Sequence, residues 1–425
     1  MTSDWPLARL GDVVDIVNGR NQRAVESVSG HYPIYGSGGV IGRATAFLCE
    51  AGTTVIGRKG SINNPIYVES RFWNVDTAFG LSPRPGLASG FLHRFCQHYD
   101  FTRHNKGTTL PSLVKTDLLE IRIPYPPLSE QQRIVGILDE ALESVATAET
   151  HAEKNLQNVR ALLESGLNAA VTGALTRDWR RGNPSVGSAR QALRQKLSQQ
   201  SGQARSRGAR PPVADRPIMI PDSWVLASPE QLSTHVVDCP HSTPKWTESG
   251  VACLRTTNFK AGCLDLESLR FVSEETYKER ISRLEPAPGD VLYSREGGIL
   301  GIACIMPPRL RACLGQRMMQ FRLDTGVVLP EFFVGVLNSA LILSEVRRLI
   351  GGAAAPHLNL RDIKTFPIPL PPIAEQRRIV ELLVGITSQT QRLESVYRRK
   401  LAALEDLKKS LLHQAFAGQL GTHAA

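Results

Sequence analysis

"IPYPPLSEQQRIVGIL" at residues 123–138 and "IPLPPIAEQRRIVELL" at residues 368–383 decide the fold of this chain. The two stretches lie 245 residues apart, and the alignment keeps that one offset, without insertion or deletion, from Gly107 and Gly352 onward. Chance similarity would drift out of register. We therefore interpret the chain as a duplicated unit.

Each copy predicts an extended segment that leads into a long helix. The Pro-Pro pairs at 126–127 and 371–372 cannot lie inside a helix but can stand just before one. Ser129 is a good N-cap residue and its counterpart Ala374 a poor one, so the second helix is expected to start one or two residues differently. A helix from Ser129 to about Ala174 would be roughly 69 Å long, longer than a domain of this size is wide. The helices are therefore predicted to act as spacers.

Both helices carry a coiled-coil pattern, in which apolar residues recur at alternating steps of four and three. The first is rich in alanine and the second in leucine, so small side chains on one helix could receive large ones from the other. We therefore expect the two helices to pair, the alternative being that each packs only on its own domain. The predicted seam positions are Leu138, Ala141, Val145, Ala148, Ala152, Val159 and Leu162 in the first helix and Leu383, Ile386, Leu393, Tyr397, Leu404, Leu407 and Leu411 in the second.

Two segments of differing sequence, residues 1–125 and 218–370, are each large enough for a core. In both, β-branched and aromatic residues alternate with Gly-rich turns, and a helical stretch follows the strands. The repeated segments that contain the spacer helices are residues 126–175 and 371–425. The predicted fold class is α+β, with two α/β domains separated by two long antiparallel coiled-coil helices in a pseudo-twofold duplication.

Residues 176–217 have no counterpart after the second copy, and we interpret them as a basic linker. They contain 10 Lys or Arg and only 2 acids, whereas the whole chain has a net charge of +10. A short helix from about Ser188 to Gln199 is predicted inside them. This charge could attract DNA phosphates, or the segment could be only a soluble tether.

A similar loop occurs in each domain: "TTVIGRKGSINN" and "GDVLYSREGGILG" both read as a strand followed by a charged turn and glycine. Arg and Lys on such turns can approach phosphates or guanine edges, and a carboxylate can accept from cytosine N4. The alternative is a solvated hairpin tip. The predicted DNA contacts are Arg58, Lys59, Ser61, Asn63, His104, Asn105 and Lys106 in the first domain and Arg255, Thr256, Asn258, Arg295 and Glu296 in the second.

With these features the chain resembles the DNA-specificity subunit of a type I restriction-modification system over nearly its full length. The two "IPxPPxxEQxRIV" segments carry the resemblance, each closing a domain and preceding a long helix, together with "PIYGSGGVIG", "IGRKGS", "FWNVDT" and "GDVLYSREGGILG". The resemblance implies two target-recognition domains, each reading one half of a split DNA site, with paired helices that hold them apart. Because the two domains differ in sequence, the target is expected to be asymmetric.

The resemblance also implies partners, namely two adenine methyltransferase subunits and motor nuclease subunits. S-adenosylmethionine, ATP and Mg would belong to those partners, and this chain would bind no cofactor and carry no catalytic residue. The same three polar residues, Glu, Gln and Arg of the EQxR segment, stand at the start of both helices, and helix formation alone does not require them twice. We therefore predict that they dock the methyltransferase; the alternative role is capping of the helix start. The predicted docking residues are Glu130, Gln131, Arg133, Glu375, Gln376 and Arg378.

The sequence gives weaker support to a catalytic function or a metal site than to a DNA-specificity subunit. "NPIY" at residues 64–67 is close to an adenine methyltransferase tetrad, but no glycine motif on a βαβ unit precedes it. The cluster of His235, Asp238, Cys239 and His241 more simply marks a polar turn than a metal site. No signal peptide or membrane-length apolar run appears, so a cytoplasmic protein with free thiols is expected. The remaining alternative is a coiled-coil scaffold that reads no DNA, although a scaffold does not need two dissimilar domains that each carry a charged Gly-bounded turn.

Overall fold

The computed structural model describes residues 5–201, 209–214, 216–351 and 356–420. Gly352 of the repeat and part of the 176–217 segment lie outside the described residues. The chain forms two compact units, and each long helix contributes one part to each of them. Unit 1 contains the chain up to Asn155 and again from Val396 onward, and unit 2 contains Leu156–Ser395.

Unit 1 is a mixed α/β domain with an antiparallel sheet at its centre. Its strands are β1 Leu7–Arg9, β2 Val14–Asn18, β3 Tyr32–Gly36, β4 Gly39–Ala44, β5 Thr53–Gly57, β6 Ile66–Val68, β7 Trp73–Asn74, β8 Ala78–Pro83 and β9 Arg122–Pro124. Its helices are α1 Leu10–Val13, α2 Ser89–His98, the 3-10 turn Phe101–His104, α3 Lys115–Leu119 and the start of α4 Leu128–Val171. The central sheet has the order β2-β8-β5-β6, and a second sheet has the order β4-β3-β7 with β3 and β7 parallel. β1 pairs with β9 directly before α4.

Unit 2 has the same topology with insertions. Its strands are β10 Val225–Ala227, β11 Ser233–Asp238, β12 Trp246–Thr247, β13 Val251–Leu254, β14 Phe259–Lys260, β15 Cys263–Leu264, β16 Arg270–Val272, β17 Val291–Ser294, β18 Ala303–Ile305, β19 Ala312–Leu314, β20 Met318–Leu323 and β21 Ile368–Leu370. Its helices are α5 Arg177–Gly182, α6 Ala189–Ser201, α7 Pro229–Leu232, the 3-10 turn Thr256–Asn258, α8 Glu274–Arg280, α9 Pro330–Leu337, α10 Ala340–Ile350, α11 Leu360–Ile363 and the start of α12 Ile373–Phe416. The antiparallel order β11-β20-β17-β18 and the parallel pair β13-β19 repeat those of unit 1. The duplication therefore extends to the domains, although their sequences differ.

The two long helices pack antiparallel within each unit. In unit 1, Leu138 near the start of α4 shares a buried core with Phe416 at the end of α12 and with Phe91 of α2. In unit 2, Ala170 at the end of α4 shares a core with Ile379 near the start of α12. The helices thus pack on each other and on the domains at once, and the predicted fold class is confirmed.

Both helices contain 44 residues and begin at the same repeat offset, Leu128 and Ile373. The expected difference in their starts is wrong, because each helix begins one residue before Ser129 or Ala374 and neither residue can act as the N-cap. The carbonyl of Pro127, just outside α4, accepts from the amides of Glu130 and Gln131 at 2.9 and 3.1 Å.

The helix ends are also equivalent, because a glycine follows each helix in the left-handed conformation. Gly173 has φ 75° and Gly418 has φ 70°. A side chain would be strained there, so this pair of glycines terminates the helices at matching positions.

The seam prediction is largely confirmed in the first helix. Val145, Ala152 and Val159 are buried. Leu162 is exposed, and the seam passes instead through Gly166, where an added Cβ would lie 3.1 Å from Ile386 Cδ1. A small position on α4 therefore receives a large side chain of α12, as expected from the compositions of the two helices.

The described part of the 176–217 segment is folded against unit 2. α6 confirms the helix predicted near Ser188, and its Ala189 and Leu193 are buried in the unit 2 core. Lys196 is buried and lies 3.6 Å from Asp324. This part of the segment is therefore more than a tether.

Candidate nucleic-acid interface

Charged loops gather at one edge of the central sheet in each unit. β2 and β5 both pair antiparallel with β8, so they run parallel to each other and their carboxyl ends share an edge. In unit 1 this edge carries Arg20 after β2, Arg58 and Lys59 after β5, and Thr77 before β8. We call these segments, and their counterparts in unit 2, the edge loops.

In unit 1 the charged turn is fixed by backbone hydrogen bonds. The amide of Arg58 donates to the carbonyl of Thr77 at 2.8 Å, and the amide of Leu113 donates to the carbonyl of Arg58 at 2.8 Å. Gly60, with φ 83°, donates to the carbonyl of Pro111 at 2.9 Å. The repeated segment around Leu113 thus holds the turn in place.

The same bonds recur in unit 2. The amide of Arg295 donates to the carbonyl of Arg317 at 3.0 Å, and Leu358, the repeat counterpart of Leu113, donates to the carbonyl of Arg295 at 2.9 Å. Gly297, with φ 87°, donates to the carbonyl of Pro356 at 3.2 Å. The two charged Gly-bounded loops are therefore structurally equivalent.

The turn of unit 1 presents its cations to solvent. Arg58, Lys59 and Ser61 are exposed. The Arg58 guanidinium lies 5.8 Å from the centre of the Phe79 ring, and its Nη1 donates to the carbonyl of Asp76 at 3.4 Å. These contacts orient the side chain without neutralising its charge.

The other predicted contacts of unit 1 build the neighbouring loop. The side-chain oxygen of Asn63 accepts from the Phe101 amide at 2.8 Å, and His104 Nε2 lies 2.7 Å from the Tyr99 hydroxyl. Asn105 accepts from two backbone amides of the repeat segment, each at 2.9 Å. Lys106, which is exposed, forms an ion pair at 3.1 Å with Asp117.

In unit 2 the equivalent arginine is buried and paired. Arg295 donates to both carboxylate oxygens of Asp238 at 3.0 Å and to the carbonyl of Leu358 at 2.8 Å. Its Nη2 also lies 3.0 Å from Glu296 Oε1. The burial of Arg295 contradicts its prediction as a direct DNA contact, whereas Glu296 keeps an exposed part at the edge.

The units differ at two positions that supply carboxylates to Arg295. Glu296 follows the turn arginine of unit 2 where Lys59 follows that of unit 1. Asp238 ends β11 at the position where Asn18 ends β2, since each pairs with the equivalent residue of the adjacent strand, Met319 or Phe79. Unit 2 therefore has a carboxylate beside its turn arginine, and unit 1 has a neutral amide.

The loop after β13 is stabilised by a buried asparagine. The amide group of Asn258 accepts from the Arg255 amide at 2.9 Å and donates to the carbonyl of Asp265 at 3.1 Å. Asn258 has no exposed surface, which contradicts its predicted DNA contact. Arg255 donates to the carbonyl of Ser268 at 2.7 Å, and Thr256 is half-buried.

The polar cluster at the end of β11 is a turn. His241 Nε2 lies 3.0 Å from Asp238 Oδ2, and the amide of Met318 donates to Cys239 Sγ at 3.3 Å. Burial raises the pKa of the Cys239 thiol. Within the described ranges there is no group of three or more His, Cys, Asp or Glu residues placed to hold a metal ion.

Sequence reasoning missed two arginines of the edge loops. Arg317 is exposed with φ 69°, a conformation that is uncommon outside glycine and asparagine and is often found at functional sites. A Cβ on Gly297 would lie 3.2 Å from Arg317 Nη1, so this side chain borders the charged turn. The sequence carries no signal for such a dihedral angle. Arg20, in contrast, follows an Asn-Gly pair, which is a turn signal.

The repeated glutamine is a structural residue in both copies. Gln131 is fully buried, and its amide group accepts from the Ala88 amide at 2.8 Å and donates to the carbonyls of Gly86 and Pro126 at 3.0 and 2.9 Å.

Gln376, also fully buried, accepts from the Leu329 amide at 2.8 Å and donates to the carbonyls of Val327 and Pro371, each at 2.9 Å. Neither glutamine has surface to offer a partner, which contradicts their docking prediction.

The repeated glutamate differs between the copies. Glu375 is buried and accepts from Trp224 Nε1 at 2.9 Å, from the Thr176 hydroxyl at 2.7 Å and from Arg180, so its docking prediction is also contradicted. Glu130 is partly exposed and forms an ion pair with Arg133 at 2.7 Å.

The repeated arginines remain at the surface. Arg133 and Arg378 occupy equivalent positions, and each side chain is 43% exposed. The Arg133 guanidinium, which hydrogen-bonds Glu130, lowers the pKa of that carboxyl. Arg378 forms an ion pair at 3.1 Å with Glu381. Of the predicted docking residues, those left exposed are therefore Glu130, Arg133 and Arg378.

Together, the fold and the edge loops define a class: a duplicated recognition subunit in which two equivalent α/β units present different side chains on the same loop framework. The sequence profile of the type I restriction modification DNA specificity domain matches residues 2–157 and 267–401, more than half of the chain. The chain belongs to this family. It is a specificity subunit that recognises DNA sequence within its complex, and it is not a catalytic subunit.

Curated relatives extend over nearly the whole chain. The type I restriction enzyme EcoDI specificity subunit of Escherichia coli is 21% identical over 98% of this chain and 89% of its own length. The MjaVIII specificity subunit of Methanocaldococcus jannaschii is 21% identical over 98% of this chain and 93% of its own length.

Solved structures share the fold. A chain from a solved type I restriction-modification complex aligns with a TM-score of 0.68 at 18% identity, covering 99% of this chain and 100% of its own. The HsdS subunit from Thermoanaerobacter tengcongensis aligns with a TM-score of 0.51 at 18% identity, covering 98% and 97%. Among the described helices of this chain, none combines the length and apolarity that crossing a membrane requires.

Proposed function

We propose that this chain recognises a bipartite, asymmetric DNA target, with the edge loops of unit 1 reading one half and those of unit 2 the other. The observation that carries the proposal is that the same backbone bonds build the turn in both units while the side chains differ. Equivalent backbone frameworks place the two turns at the same position in each unit, where both could contact DNA. Their different side chains would give each unit its own base preference.

The chemistry of the two edges supports different half-sites. Unit 1 offers the exposed cations Arg20, Arg58 and Lys59, which suit phosphates and guanine edges. Unit 2 offers the exposed Arg317, which borders the turn at Gly297, and the Glu296 carboxylate, which can accept from cytosine N4. Because these sets differ in charge, the two half-sites should differ in sequence.

We also propose that the chain directs adenine methyltransferase subunits, and through them restriction nuclease subunits, to this target. Arg133 and Arg378 support this part because they are equally exposed at equivalent positions, one in each copy of the repeat. One methyltransferase subunit would dock at each. The chemistry, with S-adenosylmethionine, ATP and Mg, would reside in those partners.

The test is to map adenine methylation by single-molecule sequencing in cells that express this chain together with its neighbouring methyltransferase, with each component alone as a control. We expect a split motif, with two different defined ends around an unspecified gap, that depends on both proteins. A stable complex that yields no motif would contradict DNA reading and favour the scaffold alternative.

The half-sites are then assigned by variants of single edge residues. Arg58→Ala should cost about 1 to 3 kcal/mol of binding free energy if Arg58 reads a base, with the loss confined to one half-site. Arg317→Ala should affect only the other half. Arg122→Ala is the control, because this arginine is exposed on β9 away from the edge loops. An equal loss on every DNA sequence would make Arg58 a phosphate contact.

A further inference from the structure

The β3-β4 hairpin of unit 1 exposes two β-branched side chains near its tip. Val40 is 59% exposed and Ile41 is 55% exposed. A Cβ built on Gly38 or Gly39 would meet no atom within 4 Å, so these two tip residues have open space around them. The two side chains are adjacent on β4, the edge strand of the β4-β3-β7 sheet, and together they form a small exposed apolar patch.

This hairpin lies beside the charged turn. A Cβ on Gly60 would lie 3.5 Å from the Ser37 hydroxyl at the hairpin tip. The end of β3 next to the tip is also tied to the edge, since the amide of Val75, two residues before Thr77, donates to the carbonyl of Tyr35 at 3.0 Å. The apolar tip and the cations Arg58 and Lys59 therefore belong to one surface.

The chemistry of this surface selects nucleic acid as its occupant. Arg58 and Lys59 are exposed and suit an anionic partner. The major groove of DNA admits a two-stranded β-ribbon, which is the form that the hairpin has at its tip beyond β7. Valine and isoleucine side chains cannot form hydrogen bonds, so they cannot read polar base edges. The 5-methyl group of thymine is the apolar feature that the major groove presents.

We propose that Val40 and Ile41 contact thymine methyl groups and make unit 1 specific for thymine at one or two positions of its half-site. This inference rests on the proposed function, because it assigns a base preference to the half-site that unit 1 reads. The preference belongs to one half only. In unit 2 the strand equivalent to β3 is β13, and the 3-10 turn Thr256–Asn258 with β14 and β15 stands before β16 in place of this short hairpin.

The experiment replaces thymine by uracil, which removes the methyl group and leaves base pairing intact. Duplexes carrying the mapped target, with uracil at each thymine position in turn, are titrated with the full chain in complex with its methyltransferase at one fixed salt concentration. The Val40→Ala/Ile41→Ala double variant is compared with wild type. Val28→Ala is the matched control, because Val28 is a fully exposed β-branched residue of the same unit, outside the hairpin tip.

We expect uracil at one or two positions of the unit 1 half-site to weaken wild-type binding about fourfold for each methyl group removed. The double variant should bind thymine and uracil duplexes equally, while Val28→Ala keeps the wild-type difference. Methylation mapping of the double variant should show relaxed specificity at the same positions.

Three results would overturn the inference. The first is wild-type binding to the mapped target that no uracil substitution weakens, and the second is an uracil penalty that persists unchanged in the double variant. The third is loss of complex assembly with intact thymine discrimination, which would make the tip a protein-docking surface. If wild type discriminates no DNA sequence at all, the proposed function fails and this inference fails with it. That outcome is seen with wild type alone, so it is distinct from a failure of the thymine contact, which needs the hairpin variant.

Discussion

Replacing Gln376 by leucine should destabilise unit 2 by about 3 kcal/mol, and Gln131→Leu should do the same in unit 1. Each buried amide group makes three hydrogen bonds within its unit, worth about 1 kcal/mol each in net terms. The same loss can be counted from the groups left behind: leucine leaves a backbone amide and two carbonyls without these partners, at about 1 to 3 kcal/mol for each group. Burial of the leucine side chain returns roughly 1.5 to 3 kcal/mol, so this count also leaves a net loss of about 3 kcal/mol or more.

The assay combines urea unfolding of the full chain with hydrogen exchange at the amides that the glutamines hold. Exchange at Ala88 should accelerate in Gln131→Leu, and exchange at Leu329 in Gln376→Leu, each without effect on the other unit. Gln132→Leu is the control, because Gln132 follows directly in the helix and is exposed. A loss below about 1 kcal/mol with unchanged exchange would refute the structural role. Unchanged stability with loss of methyltransferase assembly would restore the docking interpretation.

Three further perturbations test separate parts of the structure. Burial lowers the pKa of His93 to about 4, against about 6.5 in the unfolded chain, so the unfolded state takes up its proton first as pH falls. The free energy of unfolding, measured by denaturation, should therefore fall by about 2 kcal/mol between pH 7 and pH 5. His93→Gln should remove most of that loss. Gly166→Leu should cost about 1 to 3 kcal/mol by overpacking against Ile386, and Ile386→Ala in the same chain should recover part of the melting temperature. Asn18→Asp should place a carboxylate beside Arg58 and weaken binding to the unit 1 half-site alone; undiminished binding in a titration would contradict this pairing.

The sequence predicts the duplication, the long helices and most of the first seam because these depend on local spacing. The spacing also predicts the burial of Gln131. Gln131, Ile134 and Leu138 recur at steps of three and four, so they share the face that α4 buries. The polar character of the glutamine and its repetition at Gln376 point to docking, whereas the spacing points correctly to burial. A buried amide is acceptable on that face because the turn before α2 supplies its hydrogen-bond partners.

The burial of Glu375 could not be predicted in the same way. Its partners Thr176, Arg180 and Trp224 lie about 150 to 200 residues earlier in the chain, and no periodic pattern relates them to it. Glu130 occupies the equivalent helix position and pairs with its own neighbour Arg133. Identical residues of a repeat therefore acquire different roles when distant segments, here α5 and the residues just before β10, pack against one of them.

The edge loops also place equivalent residues of the two units in different environments. The backbone bonds that fix both turns come from the repeat, so the frameworks agree even where the domain sequences do not. The pairing of each arginine then depends on residues that differ between the units. Asp238 and Glu296 both pair with Arg295, whereas Asn18 and Lys59 occupy those positions in unit 1 and Arg58 is exposed. A charged turn read from sequence identifies where a unit can meet DNA. Whether its arginine stays exposed depends on the neighbouring turn residue and on the residue that ends a strand about 40 to 60 positions earlier. In the proposed function, a change outside the turn can therefore alter the base preference of a unit.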